Sequence, residues 1–298
     1  MEAFGPYAET WLEQRDIKTR TRALYRSQLD RFLLPEYGEV SLRDITPQVV
    51  RAWHNKLDRQ HPTQRAHVYS LLRAILNEAV RDDILAKNPC NIRSAGVTKR
   101  TIGIEPATTD EIKALVAAMP ERYQAFVLIA AWCGLRFGEL SELRRKDIDL
   151  EVGVVHVRRA VVWDAGEPVV GPPKNGFGRR VTMPPHIVET VTAHLERFAA
   201  PGPDGLLVHA IKDDSRQVSS NTVRRHWMKA RVAAGLPTMR VHDLRHTGAV
   251  LAALAGATSK ENQDRLGHLS ASSADRYQHV ARGRDAEIAR KLSELAGY

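Results

Sequence analysis

Cysteine is almost missing from this chain, with two in 298 residues. Cys90 and Cys133 stand far apart and make no CxxC pair, which excludes a disulfide scaffold and a thiolate zinc site. Cys133 falls inside the apolar run 127–135, so two buried free thiols in a reducing compartment are expected. No apolar run approaches the ~20 residues that span a bilayer, and no charged-then-apolar leader opens the sequence. A P-loop, a cluster of metal-ligating side chains, an internal repeat and a low-complexity tract are also lacking. These absences predict a cytoplasmic protein with no membrane contact, no metal and no cofactor.

What is present is ordinary for a globular protein: 43% hydrophobic and 27% charged residues. A chain of this length exceeds the usual single core, so two domains are expected. The net charge of +9 favours a polyanionic partner, because a basic surface that meets phosphates releases counterions. A solvated basic surface gives the same number, and charge alone does not decide between them.

Residues 1–90 read as a helical bundle. Phe4, Tyr7, Ala8, Trp11 and Leu12 recur at helical spacing, as do Thr21, Leu24, Tyr25, Leu29 and Phe32, and Pro35 is expected to stop that second run. Thr46-Pro47 opens a third segment carrying Val49, Val50, Trp53 and Leu57. Val68, Leu71, Leu72, Ile75, Leu76 and Ala79 mark a fourth. The stretch 88–108 lacks periodicity, and 91–108 is taken as an interdomain linker. Residues 109–298 form the second domain. Thr109 is the expected cap before Asp110 and Glu111, with helix through Met119 and from Glu121 to Trp132. Residues 152–183 carry Val154, Val155, Val157, Val161, Val162, Val169, Val170 and Val181 between Gly, Pro and Asn, which predicts a short antiparallel sheet. Helical periodicity returns at 187–198 and 221–234 and predominates from His242 onward. The fold class is mainly α with a small antiparallel sheet, a helical domain followed by a mixed α/β one.

The informative pattern is an ordered set of polar residues: Arg136, Lys174, His242, Arg245, His268 and Tyr277. A phosphoryl group in its transition state spreads negative charge over non-bridging oxygens, and two guanidiniums grip such oxygens through paired N–H donors. Arg136 and Arg245 are the candidates, and because His242 and Arg245 are three apart they share a helix face. A tyrosine hydroxyl, with ordinary pKa near ~10, needs a base and a positive field to act as nucleophile at neutral pH. His242, Lys174 and His268 are placed to supply them. Glu139 suits an orienter of Arg136 and equally a first-turn carboxylate. Lys174 lies in a turn between two strands, and a lysine on such a hairpin tip can protonate a bridging oxygen. Arg179 and Arg180 are rival cations there, expected to meet DNA backbone. His246, one position further round, suits helix packing.

Carried on Gly134-Leu135-Arg136-Phe137-Gly138-Glu139-Leu140, Pro173-Lys174 ahead of Arg179-Arg180-Val181, His242-Asp243-Leu244-Arg245-His246-Thr247, Leu266-Gly267-His268 and Tyr277-Gln278-His279-Val280, the chain resembles the tyrosine recombinases, and within them the phage-type integrases. Asn175 and Gly178 depart from the Thr and Ser often found beside the lysine. The resemblance implies a helical core-binding domain and a mixed α/β catalytic domain that together hold duplex DNA. It implies that Tyr277, nine residues after His268, attacks the scissile phosphate to give a 3′-phosphotyrosyl link and a free 5′-hydroxyl. Arg136, Arg245 and His268 would stabilise the charge, His242 would take the tyrosine proton, and Lys174 would protonate the leaving oxygen. The tyrosyl link conserves the ester energy, so neither ATP nor metal is called for.

The resemblance further implies partners and a setting: double-stranded DNA attachment sites, self-association to a tetramer on synapsed DNA, an accessory or directionality factor, and work beside the nucleoid of a bacterial host. Lys18, Arg20, Thr21, Arg22 and Arg26 cluster at the start of a helix, and Asn221, Arg224 and Arg225 follow Ser219-Ser220 in a comparable setting. Both groups are candidate DNA contacts, though each also suits a solvated helix face. After the tyrosine, Ala286, Ile288, Ala289, Leu292, Leu295 and Ala296 make an apolar stripe that fits docking into a neighbouring protomer or packing on its own core. The chain starts at the core-binding domain, so a member without an arm-binding domain, or a trimmed one, is expected. A chromosome-dimer resolvase, a type IB topoisomerase and a non-catalytic DNA-binding regulator are the rival functions.

Overall fold

The computed structural model describes residues 2–98, 105–164, 166–174, 176–267, 289–290 and 293–295. Asn175, His268, Tyr277 and four residues of the C-terminal apolar stripe, Ala286, Ile288, Leu292 and Ala296, lie outside the described residues. The chain divides into two compact units, residues 1–103 and 104–298.

In the first unit, α1 (Phe4–Gln14) buries Phe4, Tyr7, Ala8, Trp11 and Leu12 along one stripe. Helix α2 (Thr19–Gln28) runs into a π turn over Leu29–Leu33 and then α3 (Leu34–Tyr37). Pro35 therefore does not end the helical run. It sits in the first turn of α3, where a missing N–H costs no hydrogen bond, and the wider π turn before it absorbs the ring. Thr46 Oγ1 accepts the Val49 N–H to start α4 (Pro47–Lys56). The long α5 (Pro62–Arg81) buries Val68, Tyr69, Leu71, Leu72, Ile75, Leu76 and Ala79. Tyr37 anchors the core, its ring edge-on to Phe4 at 5.8 Å and to Trp53 at 5.5 Å. Cys90 belongs to this core as a buried free thiol.

The second unit opens with α6 (Thr109–Ala118), whose cap is Thr108 and not Thr109. The reciprocal bonds explain the shift: Thr108 Oγ1 accepts the Glu111 N–H while Glu111 Oε2 accepts the Thr108 N–H, which requires a spacing of three. Helix α7 (Glu121–Cys133) is buried on almost every side and ends at Gly134, whose φ of +66° is left-handed. A short α8 (Phe137–Ser141) follows. Instead of one sheet, the valine-rich region makes two among the described residues. Strands β1 (Ile148–Asp149), β2 (Val154–Val157) and β5 (Arg179–Thr182) form one antiparallel sheet in the order β1-β2-β5, and β3 (Ala160–Asp164) pairs only with β4 (Glu167–Gly171). Strands β6 (His209–Ala210) and β7 (Asp213–Gln217) form a further hairpin without a valine signal.

Helices α9 (Pro185–Arg197), α10 (Ser220–Ala233), α11 (Asp243–Leu254) and α12 (Ser259–Leu266) complete the described part of the unit. Helix α11 crosses α7 closely. A Cβ on Gly248 would stand 2.3 Å from the Ala131 carbonyl oxygen, so glycine is what allows the two backbones to meet. Among the described residues no helix is long and apolar enough to cross a membrane.

Candidate active site

The site begins where α7 stops. Its apolar run fixes Cys133 in the core, and burial pushes that thiol up to about 12, leaving it an inert packing group. The left-handed Gly134 then turns the chain so that Arg136 becomes the N-cap position of α8. Glu139, 1% exposed, is three residues on and accepts both the Arg136 backbone N–H (2.8 Å) and its Nη1 (2.9 Å). Arg136 Nη2 donates to the Gly267 carbonyl at 3.0 Å. One carboxylate thus holds the backbone and the head group of the same arginine.

Arg245 enters from the first turn of α11 and is 3% exposed. Its Nη1 donates to the Gly134 carbonyl and its Nη2 to the Leu266 carbonyl. Arg179 on β5 donates through Nε to the Arg265 carbonyl at 2.9 Å. Three guanidiniums therefore converge on three successive carbonyls at the end of α12, where helix geometry leaves acceptors unpaired and the dipole is negative. Gly267, at φ +63°, closes that helix and leads into His268. Residues of the first four sequence motifs meet here, around the residue that precedes His268. The concentration of positive charge at one helix end gives the place its chemistry: it can attract and orient an oxyanion.

His242 is the N-cap residue of α11, exposed, with its ring 5.2 Å from that of His246 in an edge-to-face pair. Although the residue as a whole is exposed, desolvation of the ring by the side chains packed around it, and then the Arg245 guanidinium, hold it below its ordinary value, with Asp243 opposing. A neutral imidazole near pH 7 follows, able to accept a proton. Asp243 is tied to Arg240, which donates to its carboxylate at 2.8 and 3.1 Å. Lys174 is exposed, in a turn closed by the Gly176 N–H to the Pro173 carbonyl at 2.8 Å. It does not sit on a hairpin tip. The flanking strands β4 and β5 belong to different sheets, because β4 is already paired with β3 and β5 with β2.

The candidate DNA contacts divide by what their side chains already hold. Lys18 and Arg20 are exposed at the start of α2, with Thr21 half-buried beside them. Arg22 is different: it donates to the carbonyls of Leu12 and Arg15 at the end of α1, so its head group serves as a helix cap. Arg26 grips Glu9 through both Nη atoms and also meets Asp30 at 3.5 Å. Arg179 is engaged as well: its side chain is 7% exposed and locked on Glu139 at 2.8 and 3.0 Å. Arg180, next along β5, is exposed, as are Asn221, Arg224 and Arg225 on α10. Alternation along the strand separates the two arginines: Val181 and Met183 are buried, so Arg179 shares their inward side and Arg180 the outward one. That period-two signal was available in the sequence. A second buried ionic cluster was not signalled. Glu142 and Asp147, each 1% exposed, accept from Arg144, Arg158, Arg159 and Gln217. Among the described residues no group of His, Cys, Asp or Glu is arranged to hold a metal ion.

A helical unit is followed by a mixed unit in which arginines from two distant motifs meet beside a His-x-x-Arg helix, an arrangement that can grip an oxyanion such as a phosphate. Comparison with known proteins makes the class specific. The phage integrase family pattern matches residues 107–284, and the phage integrase N-terminal SAM-like domain matches residues 3–57. The prophage phiRv2 integrase of Mycobacterium tuberculosis H37Rv is 51% identical over 294 residues, 98% of this chain and 78% of that protein. The Tn1549 transposon integrase in complex with circular intermediate DNA superposes with a TM-score of 0.77 at 21% identity, over 95% of this chain and 98% of the other. A lambda integrase tetramer bound to a Holliday junction gives 0.71 at 22% identity, over 91% of this chain and 79% of its own. At such identities the likeness is one of fold. The chain belongs to the phage integrase family, and it is a tyrosine recombinase that joins phage or mobile-element DNA at specific sites.

Proposed function

We propose that the protein cleaves double-stranded attachment-site DNA with Tyr277 as nucleophile, forming a 3′-phosphotyrosyl link and releasing a 5′-hydroxyl that is later replaced by the hydroxyl of the partner strand. Arg136 and Arg245 hold the non-bridging oxygens of the scissile phosphate, joined by His268. His242 takes the tyrosine proton, and Lys174 returns one to the leaving 5′-oxygen. The observation that carries this reading is the convergence of Arg136 and Arg245 on Gly267 and Leu266, one residue short of His268. A pair of fixed guanidiniums costs little reorganisation when charge develops on the phosphate. The depressed pKa of His242 supports its part as base.

Exposed Lys18, Arg20, Arg180, Asn221, Arg224 and Arg225 contact the DNA backbone in this reading. Four protomers act on two synapsed duplexes in the bacterial cytoplasm, with an accessory factor setting direction. The test is covalent trapping on a nicked half-site duplex taken from the junctions that flank the encoding element. Tyr277→Phe removes one oxygen and keeps the ring, so the denaturant-resistant complex is lost and specific binding stays. A covalent complex that persists in Tyr277→Phe places the nucleophile elsewhere.

A further inference from the structure

The Glu139 carboxylate is shared evenly. Oε1 accepts from Arg136 Nη1 at 2.9 Å and from Arg179 Nη1 at 3.0 Å, while Oε2 accepts from the Arg136 backbone N–H at 2.8 Å and from Arg179 Nη2 at 2.8 Å. We propose that Arg179 is a positioning residue for phosphate recognition: by taking half of Glu139 it fixes the Arg136 guanidinium and leaves that guanidinium's charge available to the scissile phosphate. The proposal rests on the reading of Arg136 as a phosphate ligand.

The charge count explains why a second arginine is needed. Buried Glu139 and half-buried Arg136 alone form a neutral pair, and a carboxylate with two vacant acceptor sites draws the donors of Arg136 toward itself. With Arg179 present, one negative charge faces two positive ones and each oxygen has its donors filled. The cluster keeps a net positive charge, and Arg136 is held by only part of its fork. Burial by itself raises the Glu139 carboxyl; Arg179, more than Arg136, brings it down to about 2. Arg179 is itself immobilised. Its backbone pairs with Val157 in the sheet, and its Nε is bound to the Arg265 carbonyl. Arg265 in turn donates to the carbonyls of Trp132 and Thr182, tying the end of α12 to α7 and β5. Arg179 acts through Glu139 from the strand that follows the Lys174 turn.

The test compares single-turnover cleavage of the nicked half-site duplex carrying either the natural scissile phosphate or a methylphosphonate, which is uncharged and gains little from a guanidinium. Arg179→Met is expected to slow phosphate cleavage by on the order of 10- to 100-fold, the scale of a misplaced reacting group. Methylphosphonate cleavage and half-site binding should change little. Arg179→Lys keeps the charge and loses the fork, so it recovers part of the phosphate rate. If Arg179→Met does not fold, Arg179→Lys carries the same comparison, with an intermediate loss confined to phosphate. Arg136→Ala is the reference arm. If it shows no phosphate-selective loss, the reading of Arg136 fails. If it does, while the Arg179 variants lose equally on both substrates or lose nothing, the proposal for Arg179 is overturned and the reading of Arg136 stands.

Discussion

Gly134 and Leu266 occupy adjoining space: a Cβ built on Gly134 would stand 2.5 Å from Leu266 Cδ2. Gly134 also carries a φ of +66°, so two independent requirements select glycine. Gly235 provides the comparison, with a φ of +76° and nothing within 4 Å of its Cβ position. Gly235→Ala should therefore cost only the backbone term, about 1 kcal/mol. Gly134→Ala should cost that plus the displacement of Leu266, about 2–4 kcal/mol in all. Thermal midpoints read the difference. Cleavage by Gly134→Ala should fall further than half-site binding, since Leu266 is followed by Gly267 and His268. Equal midpoint losses in the two variants would show that the end of α12 yields without cost.

Glu139 should shape the acid side of stability. Its carboxyl lies at about 2 in the folded protein against an ordinary value of 4.5. A depressed pKa means that the unfolded chain binds the proton first, so the stabilisation is complete above pH 4.5 and drains away as pH falls toward 2. A shift of that size corresponds to roughly 3 kcal/mol. Glu139→Gln leaves the buried guanidiniums without their counter-charge, so it should be the less stable protein at pH 7. Urea midpoints of the two proteins should approach each other between pH 5 and pH 2.5, measured at about half-unit steps. A gap that stays constant over that window would mean that the carboxylate is not held ionised by Arg136 and Arg179.

Much of the site could be read from the sequence because its motifs are local. The Gly-Leu-Arg-Phe-Gly-Glu segment encodes a helix end, a turn and a new helix within a few residues, and the structure places Glu139 on Arg136 as the spacing suggested. Arg22 and Arg26 were not legible, because their fate depends on α1, which supplies the Leu12 and Arg15 carbonyls and Glu9. A cation at a helix start looks alike whether it faces water or a neighbouring helix. The valine-rich stretch predicted strands and not their partners. Pairing is long-range: β2 skips the intervening hairpin to reach β5, and β1 is too short to signal itself. Arg179 and Arg180 look alike as one basic pair, and only the alternation with buried Val181 and Met183 separates the inward arginine from the outward one.

The division between free and engaged cations should appear in the salt dependence of DNA binding. Each phosphate neutralised contributes a slope of about −0.9 to log K against log salt. Lys18 and Arg20 are exposed at the start of α2, so Lys18→Ala and Arg20→Ala should each make the slope shallower by about that amount. Arg22→Ala should leave the slope nearly unchanged and lower the melting temperature instead, because it uncaps the carbonyls of Leu12 and Arg15. Arg26→Ala should behave similarly with a smaller stability loss, about 0–1 kcal/mol, since its pair with Glu9 is partly solvated. If Arg22→Ala and Arg20→Ala change the slope alike, the Arg22 cap is given up when DNA binds.

Lys174 is the candidate general acid, and the structure narrows its competition. Arg179 has all three guanidinium nitrogens engaged, on the Glu139 carboxylate and the Arg265 carbonyl, whereas Lys174 is exposed. Arg180 is exposed on β5 and remains the nearest rival in sequence. An arginine stays protonated throughout the working pH range, whereas a lysine gives up its proton readily when desolvated. Lys174→Ala should slow cleavage of a normal half-site by on the order of 100-fold or more, within the 10²–10⁴ range of general acid catalysis. A substrate with sulfur in place of the 5′-bridging oxygen leaves as a thiolate and needs no proton, so it should restore most of the lost rate in Lys174→Ala. Arg180→Ala should show no such preference, and its loss should instead appear as weaker binding at raised salt. If sulfur rescues Arg180→Ala and leaves Lys174→Ala slow, the proton comes from β5, and Lys174 belongs with the residues that hold the DNA backbone.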